Sequence, residues 1–225
     1  MNRSIIFLGV YLISGLVYAE QNPRACQIPR QTVTALQNQL ATVVQESDKN
    51  GGLFSPNKMW AAIVDRKGVL CSVIKTGDAW PGSRSIAIAK ASTANDFSND
   101  ALALSTANLY AATQPGGSLY GLNNSNPFNP AFQAQGTGIN YVPGGVITFG
   151  GGVALYQGGQ VIGGLGVSGD TACADHAIAY RMRALSKLDT VPAGVGPNNT
   201  DNITYASGTP SGFQHPHCGS TDITP

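Results

Sequence analysis

The residues of this chain best suited to chemistry are 3 histidines and 4 cysteines, and they are grouped. Cys173 and His176 stand one helical turn apart, a spacing that puts both on one face of a helix. The run His215-Pro216-His217-Cys218 lies near the end of the chain. Neutral imidazoles gathered in one place ligate iron and other transition metals. Cysteines pair as disulfides in an oxidising compartment, or hold zinc as thiolates. A zinc site of two Cys and two His is disfavoured, because the adjacent His217 and Cys218 point in divergent directions in an extended chain. Cys26, Cys71, Cys173 and Cys218 allow more than one pairing, and spacing alone does not choose. The expectation is Cys173–Cys218, which leaves Cys26–Cys71; the first helix must fold back over the sheet, so that second pair can meet. A Cys173–Cys218 bridge carries His215 and His217 towards His176. At least two of the three histidines are therefore expected in one cluster beside that bridge and near a cleft, with His176 and His217 as candidate metal ligands.

Other motifs carry less chemistry. Gly164-Leu165-Gly166-Val167-Ser168-Gly169 matches a dinucleotide-binding turn, and Asp189 stands where its acid belongs. The context fails: the following helix runs into Val191-Pro192 with no second strand, and no further βαβ unit follows. Close packing of a strand against a helix, where only glycine fits, is the better reading. Gly150-Gly151-Gly152 lacks the Lys-Ser/Thr of a phosphate loop and marks a bulge or a close approach to the backbone. No serine sits in a G-x-S-x-G elbow, and no nucleophile–base constellation or carboxylate pair stands out.

Composition narrows the class. With 225 residues the chain suits one domain with embellishments. Lys plus Arg number 13 and Asp plus Glu 12, without a basic stripe, so nucleic acid is not an expected partner. Charged residues make up 11% of the chain, against about 25% in average proteins, and such a charge-poor surface is expected to pair with copies of itself. Residues 1–19 read as a secretory signal: Arg3, an apolar run from Ile5 to Val17, and Val17-Tyr18-Ala19 before polar Glu20. The expected location is periplasmic or secreted, with no stable membrane insertion after cleavage.

The elements that must position these residues follow from periodicity. Val33, Leu36, Leu40, Val43 and Val44 predict a helix over 32–50. Met59–Asp65 and Val69–Lys75 read as a hairpin around Arg66-Lys67-Gly68. Helices are expected over 86–94 and 100–112. Residues 114–145, rich in Gly, Asn and Pro, form a long loop. Val146–Phe149, Val153–Gln157 and Gln160–Val167 read as strands, the last two joined at Gly158-Gly159. The last helix covers 170–188, with Ser168 or Asp170 as cap. Residues 190–225 form an irregular tail tied back by a disulfide. This order fits an α+β fold: an antiparallel sheet with helices packed against it, over 20–189.

Two stretches resemble the GlcG/HbpS-like family, which includes the C-terminal domain of PduO-type proteins. The first is Ala62-Ile63-Val64-Asp65-Arg66-Lys67-Gly68-Val69-Leu70 with Ala89-Lys90-Ala91-Ser92-Thr93-Ala94. The second runs from Gly151-Gly152-Val153-Ala154 through Gly159-Gln160-Val161-Ile162-Gly163-Gly164-Leu165-Gly166-Val167-Ser168-Gly169 to Asp175. The chain departs from the family pattern in its export signal, its 114–145 loop, its tail, and Ala154 in place of the usual Pro. The resemblance implies a profilin-like single domain with helices on both faces of the sheet, often oligomeric, in a family where some members bind heme and some are described as degrading it. The expected function is periplasmic binding, storage or handling of heme or another small planar ligand. A heme-degrading or other redox enzyme and a non-enzymatic oligomeric sensory or partner-binding module are the alternatives. Heme needs a flat apolar slot and an axial donor. Leu119, Tyr120, Leu122, Phe128, Phe132 and Tyr141 are expected to supply the slot. The candidate heme-binding residues are His176, His215, His217, Tyr120, Tyr141 and Lys90.

Overall fold

A computed structural model describes residues 24–54, 56–205, 212–219, 221–223 and 225. The expected signal over residues 1–19 lies outside the described residues. No helix among those described is long and apolar enough to cross a membrane. The elements run α1 (Arg30–Val43), β1 (Trp60–Asp65), β2 (Leu70–Lys75), α2 (Ser83–Asp96), α3 (Tyr110–Thr113), β3 (Gly152–Gln157), β4 (Gln160–Ser168) and α4 (Ala172–Leu185). The strands form one antiparallel sheet in the order β2-β1-β4-β3. The α+β architecture with helices on both faces is as expected.

Alternation along the strands sorts the core. Ala61, Ile63, Val153, Leu155, Leu165 and Val167 face α1 and α4, where Leu36, Leu40, Ile178 and Met182 meet them. Trp60, Ala62 and Val64 face α2, against Ala87, Ile88 and Ala91. On that second face β4 carries Gly164 and Gly166. A Cβ on Gly166 would lie 2.0 Å from the Ala87 carbonyl oxygen, and one on Gly164 2.1 Å from that of Ala91. The backbone of α2 therefore rests directly on the strand, and the G-x-G-x-x-G pattern is a packing device, as its context indicates.

The 114–145 loop covers α2 from outside. Arg84, fully buried, donates from Nη1 to the Phe132 carbonyl and from Nη2 to the Thr137 carbonyl, each at 2.6 Å. At the sheet edge the Leu70 amide donates to Tyr141 O, and the Asn140 amide to Leu70 O. The layers are thus α1 and α4, sheet, α2, loop. Two disulfides are present, Cys26–Cys71 and Cys173–Cys218.

Four local expectations need correction. The first helix stops at Val43, because Asn50 Nδ2 donates to the Val43 carbonyl and caps it, while Lys49 and Asn50 turn through positive φ. Helix is confined to 110–113 rather than 100–112. Asn99 accepts from the amides of Ala101 and Leu102, and Asn108 from that of Ser105, so side chains take the backbone groups a helix would use. Residues 146–149 are not a strand: the Ile147 amide donates to Thr93 Oγ1, and the segment runs along α2 instead. Thr171, not Ser168 or Asp170, caps α4, accepting from the Ala174 amide; Asp170 is occupied by the amides of Leu53 and Phe54.

The contact between α2 and β4 yields a stability test. Gly166→Ala forces a methyl into backbone and is expected to cost about 3 kcal/mol. Gly158→Ala, with φ +59° and open space around it, is expected to cost about 1 kcal/mol. Urea unfolding measures both, and equal midpoints would show that α2 does not rest on the strand.

Candidate functional site

The chain is poor in charge, yet several of its charges are buried together where α4, the end of β4 and the tail meet. Lys90 on α2 and Asp175 in the first turn of α4 form an ion pair at 2.6 Å, both fully buried. These helices lie on opposite faces of the sheet. The lysine passes the glycine elbow ahead of β3 to reach its partner: a Cβ on Gly151 would lie 2.6 Å from Lys90 Nζ. Lys90 also donates to Val167 O, and Asp175 Oδ1 accepts from the amides of Gly169 and Asp170. Burial lowers the lysine's pKa and raises that of Asp175 to about 6, each held back by its partner. A second buried pair, Arg183–Asp201, joins α4 to the tail through two hydrogen bonds of 2.7 and 2.6 Å.

The histidines divide. His176 and His215 are both buried and flank Gly150. A Cβ on Gly150 would lie 3.1 Å from His176 Cβ, and the Gly150 amide donates to His215 Nε2 at 3.2 Å. His215 Nδ1 donates to the Pro216 carbonyl, so both of its nitrogens are engaged. His176 Nε2 lies 3.1 Å from Asn202 Oδ1. The Ile203 amide donates to that same Oδ1 at 2.7 Å, closer than its 3.1 Å approach to His176 Nε2. With the Ile203 amide assigned to the closer Asn202 Oδ1, Nε2 carries the proton and donates it to Asn202, and the longer Ile203–Nε2 bond is given up. It leaves Nδ1 as a buried lone pair with no partner. Burial lowers the pKa of His176 to about 3, and that of His215 in the same direction, so both are neutral. His217 turns to Asp222 and stacks on Tyr205, with its side chain 55% exposed.

The expected cluster of two histidines beside Cys173–Cys218 is therefore His176 with His215. Among the described residues, cavities of about 360 and 280 Å³ are lined by Val44, Lys49, Leu53 and Phe54 among others, and by Gln27, Ile28, Arg66 and Ile162 among others, and neither of these two includes a histidine. Of the loop aromatics, Phe132 and Tyr141 lie elsewhere, while the 119–123 part of the loop is tied near the elbow through Asn123, which accepts from Thr148 Oγ1. Tyr141, stacked on Phe132 with the Arg24 guanidinium 5.4 Å above its ring, sits at the β2 edge, while the elbow leads into β3 at the other edge. Tyr120 is exposed. Lys90 is enclosed by its ion pair. Sequence reasoning passed over Asn202, Arg183 and Asp201. Their signal is the scarcity of charge itself: in a chain with so few ionisable residues, an acid in an irregular tail invites a search for a buried partner.

Comparison with known proteins follows from this architecture. A four-stranded antiparallel sheet between helices, with one helix seated on strand glycines, defines a single-domain α+β protein. The chain belongs to the HbpS-like family, described as "Haem degrading protein HbpS-like", which matches residues 34–184. It is similar to the corrinoid adenosyltransferases PduO of Citrobacter freundii and Salmonella typhimurium, 36% identical to each over 129 residues; the match covers 57% of this chain and 32% of each relative. The chain thus spans about a third of the length of those relatives. Among solved structures it is similar to the PduOC:heme complex, with 28% identity and a TM-score of 0.53 over 70% of this chain and 94% of that one. The Klebsiella pneumoniae protein ORFY matches with 27% identity and a TM-score of 0.50, over 68% of this chain and 88% of that one.

Two measurements test the site. Lys90→Met leaves Asp175 buried without its cation and is expected to cost about 3–5 kcal/mol. Adding Asp175→Asn is expected to recover part of that in urea unfolding; no recovery would show that the two charges are not coupled. His176 sets a pH dependence. Its folded pKa of about 3 lies below the ordinary 6.5. As pH falls through that window the unfolded chain takes up a proton that the folded chain refuses, so stability falls, by at most on the order of 5 kcal/mol. The raised pKa of Asp175 acts in the opposite sense above pH 4, so the difference between wild type and His176→Gln is the measure. It should shrink between pH 7 and pH 4, and a constant difference would refute the assignment.

Proposed function

We propose that this chain binds heme. The observation that carries the reading is its similarity to the PduOC:heme complex across 94% of that chain, together with membership of a family described by heme degradation. The residues present fit the group. Heme iron is held by an axial donor such as a neutral imidazole, and His176 offers a neutral imidazole with an unmet Nδ1 lone pair. His176 would hold the heme iron, with Asn202 orienting its ring from the far nitrogen and Lys90–Asp175 fixing the first turn of α4 on which it stands. His215 would serve only after giving up Gly150 and Pro216. His217 and Tyr120 are proposed to contact the ligand's periphery; Tyr141, at the opposite edge of the sheet, is out of reach of a heme held by His176. When bound, heme supplies redox chemistry at iron; the protein's part is to position and enclose it. The proposed setting is the periplasm or the exterior, where two disulfides persist. A homo-oligomer is proposed on the charge-poor surface, which exposes Phe54 and Trp80 with ring centroids 5.7 Å apart. The family description favours one second reading, heme degradation.

Hemin titration of the purified protein tests the proposal. A saturable Soret shift, lost or weakened at least tenfold in His176→Gln, is expected. No saturable shift overturns heme binding, and an unchanged His176→Gln spectrum moves the axial ligand elsewhere. Decay of the Soret band under peroxide faster than for free hemin would establish degradation.

A further inference from the structure

The family match ends at residue 184, and everything that covers His176 from the tail lies beyond that point. Asn202 and Ile203 sit on its far nitrogen. The next described stretch, 212–219, lays His215 against Gly150 and packs its ring on Tyr110, with centroids 5.0 Å apart. The two stretches are held differently. Residues 201–203 are fixed by the buried Arg183–Asp201 pair. The His215 stretch is held by a backbone bond from the His215 amide to the Thr204 carbonyl, by the stacking of His217 on Tyr205, and through Cys218, bonded to Cys173 in the first turn of α4.

That bridge is asymmetric. Cys173 is 3% exposed and lies among the amides at the N-terminus of a 14-residue helix, a position that stabilises a thiolate. The Tyr205 hydroxyl, which donates to the Ile223 carbonyl, stands 3.1 Å from its sulfur and 3.6 Å from that of Cys218. Cys218 is half-buried, between exposed His217 and Gly219. An incoming thiolate thus finds an accessible sulfur to attack and a stabilised one to expel, the arrangement that favours exchange. Cys26–Cys71 has no such asymmetry: both cysteines are half-buried, Cys26 in the segment before α1 and Cys71 in β2.

We propose that Cys173–Cys218 is an exchangeable disulfide that straps residues 212–219 over the His176–Gly150 site, and that a dithiol reductant opens it. A reductant thiolate attacks Cys218 Sγ, the S–S bond breaks, and Cys173 leaves as a thiolate. The reductant's second thiol then displaces Cys218, which leaves as a thiolate and takes a proton from solvent. Two electrons pass from the dithiol to the protein, and the dithiol ends as a disulfide. Release of the strap removes His215 from Gly150 and uncovers the His176 side of α4. The gating of heme rests on the reading above; the opening does not.

The test uses the full exported chain. Timed alkylation and mass spectrometry under limiting dithiothreitol should show Cys173–Cys218 reduced at least tenfold faster than Cys26–Cys71; equal rates overturn the exchange claim. Amide hydrogen exchange, without hemin, compares wild type with Cys173→Ser/Cys218→Ser and with the partially reduced wild type, which guards against misfolding of the variant. Protection at Gly150 should fall at least tenfold while β1 and β4 stay protected, and unchanged protection at Gly150 overturns the strap. Hemin should then bind at least tenfold tighter to the open forms, with the gain lost on adding His176→Gln. Equal affinity of open and closed forms overturns gating. Opening at Gly150 with hemin bound by neither form leaves the strap standing and removes heme as its ligand.

Discussion

The structure depends on an ion pair that crosses from one side of the sheet to the other. Lys90 belongs to the helix on one face and Asp175 to the helix on the opposite face, and the lysine reaches its partner only because residue 151 has no side chain. Once formed, the pair fixes the start of α4 through the two amides that also bond Asp175. It fixes the end of β4 through Val167 and the height of α2 above the sheet. In a low-dielectric interior neither charge is tolerable alone, so the three layers must arrive in register together. The glycines of β4 serve the same constraint, letting α2 descend far enough for the lysine to reach.

Around this centre the chain uses several of its few charges as internal fasteners. Arg84 fastens the long loop by carbonyls alone, and Arg183 fastens the tail. Most of the other charges are exposed, Lys58, Lys67, Lys75, Asp78, Lys187 and Asp189 among them. The unmet polar atom on a buried imidazole lies among the fasteners, at His176, and the proposed heme site rests on it.

Much of this was legible in the sequence. The hairpins at Arg66-Lys67-Gly68 and Gly158-Gly159, the amphipathic first helix and the packing role of Gly164 and Gly166 follow from local patterns that tertiary contacts reinforce. Both cysteine pairings agree with expectation, and so does the closeness of His176 to His215. The losses have a common cause. Over 99–108 and 146–149 the local pattern suggests helix or strand, but Asn99, Asn108 and Thr93 claim the backbone groups first, and no periodicity reveals a side chain's choice of partner. The separation of Phe132 and Tyr141 from the histidines depends on strand order, which places β2 and β3 at opposite edges and leaves no mark on spacing.

The Arg183–Asp201 pair bears on how the chain is made. Arg183 sits under Ala154 in the sheet region, and its carboxylate partner emerges from the ribosome and crosses any export channel later than every strand and helix described here. Until that acid arrives, α4 carries an arginine that cannot be enclosed without penalty. The domain therefore has a built-in reason to stay loosely closed until the 201–203 segment has been made, so that completion of the fold reports the arrival of that segment.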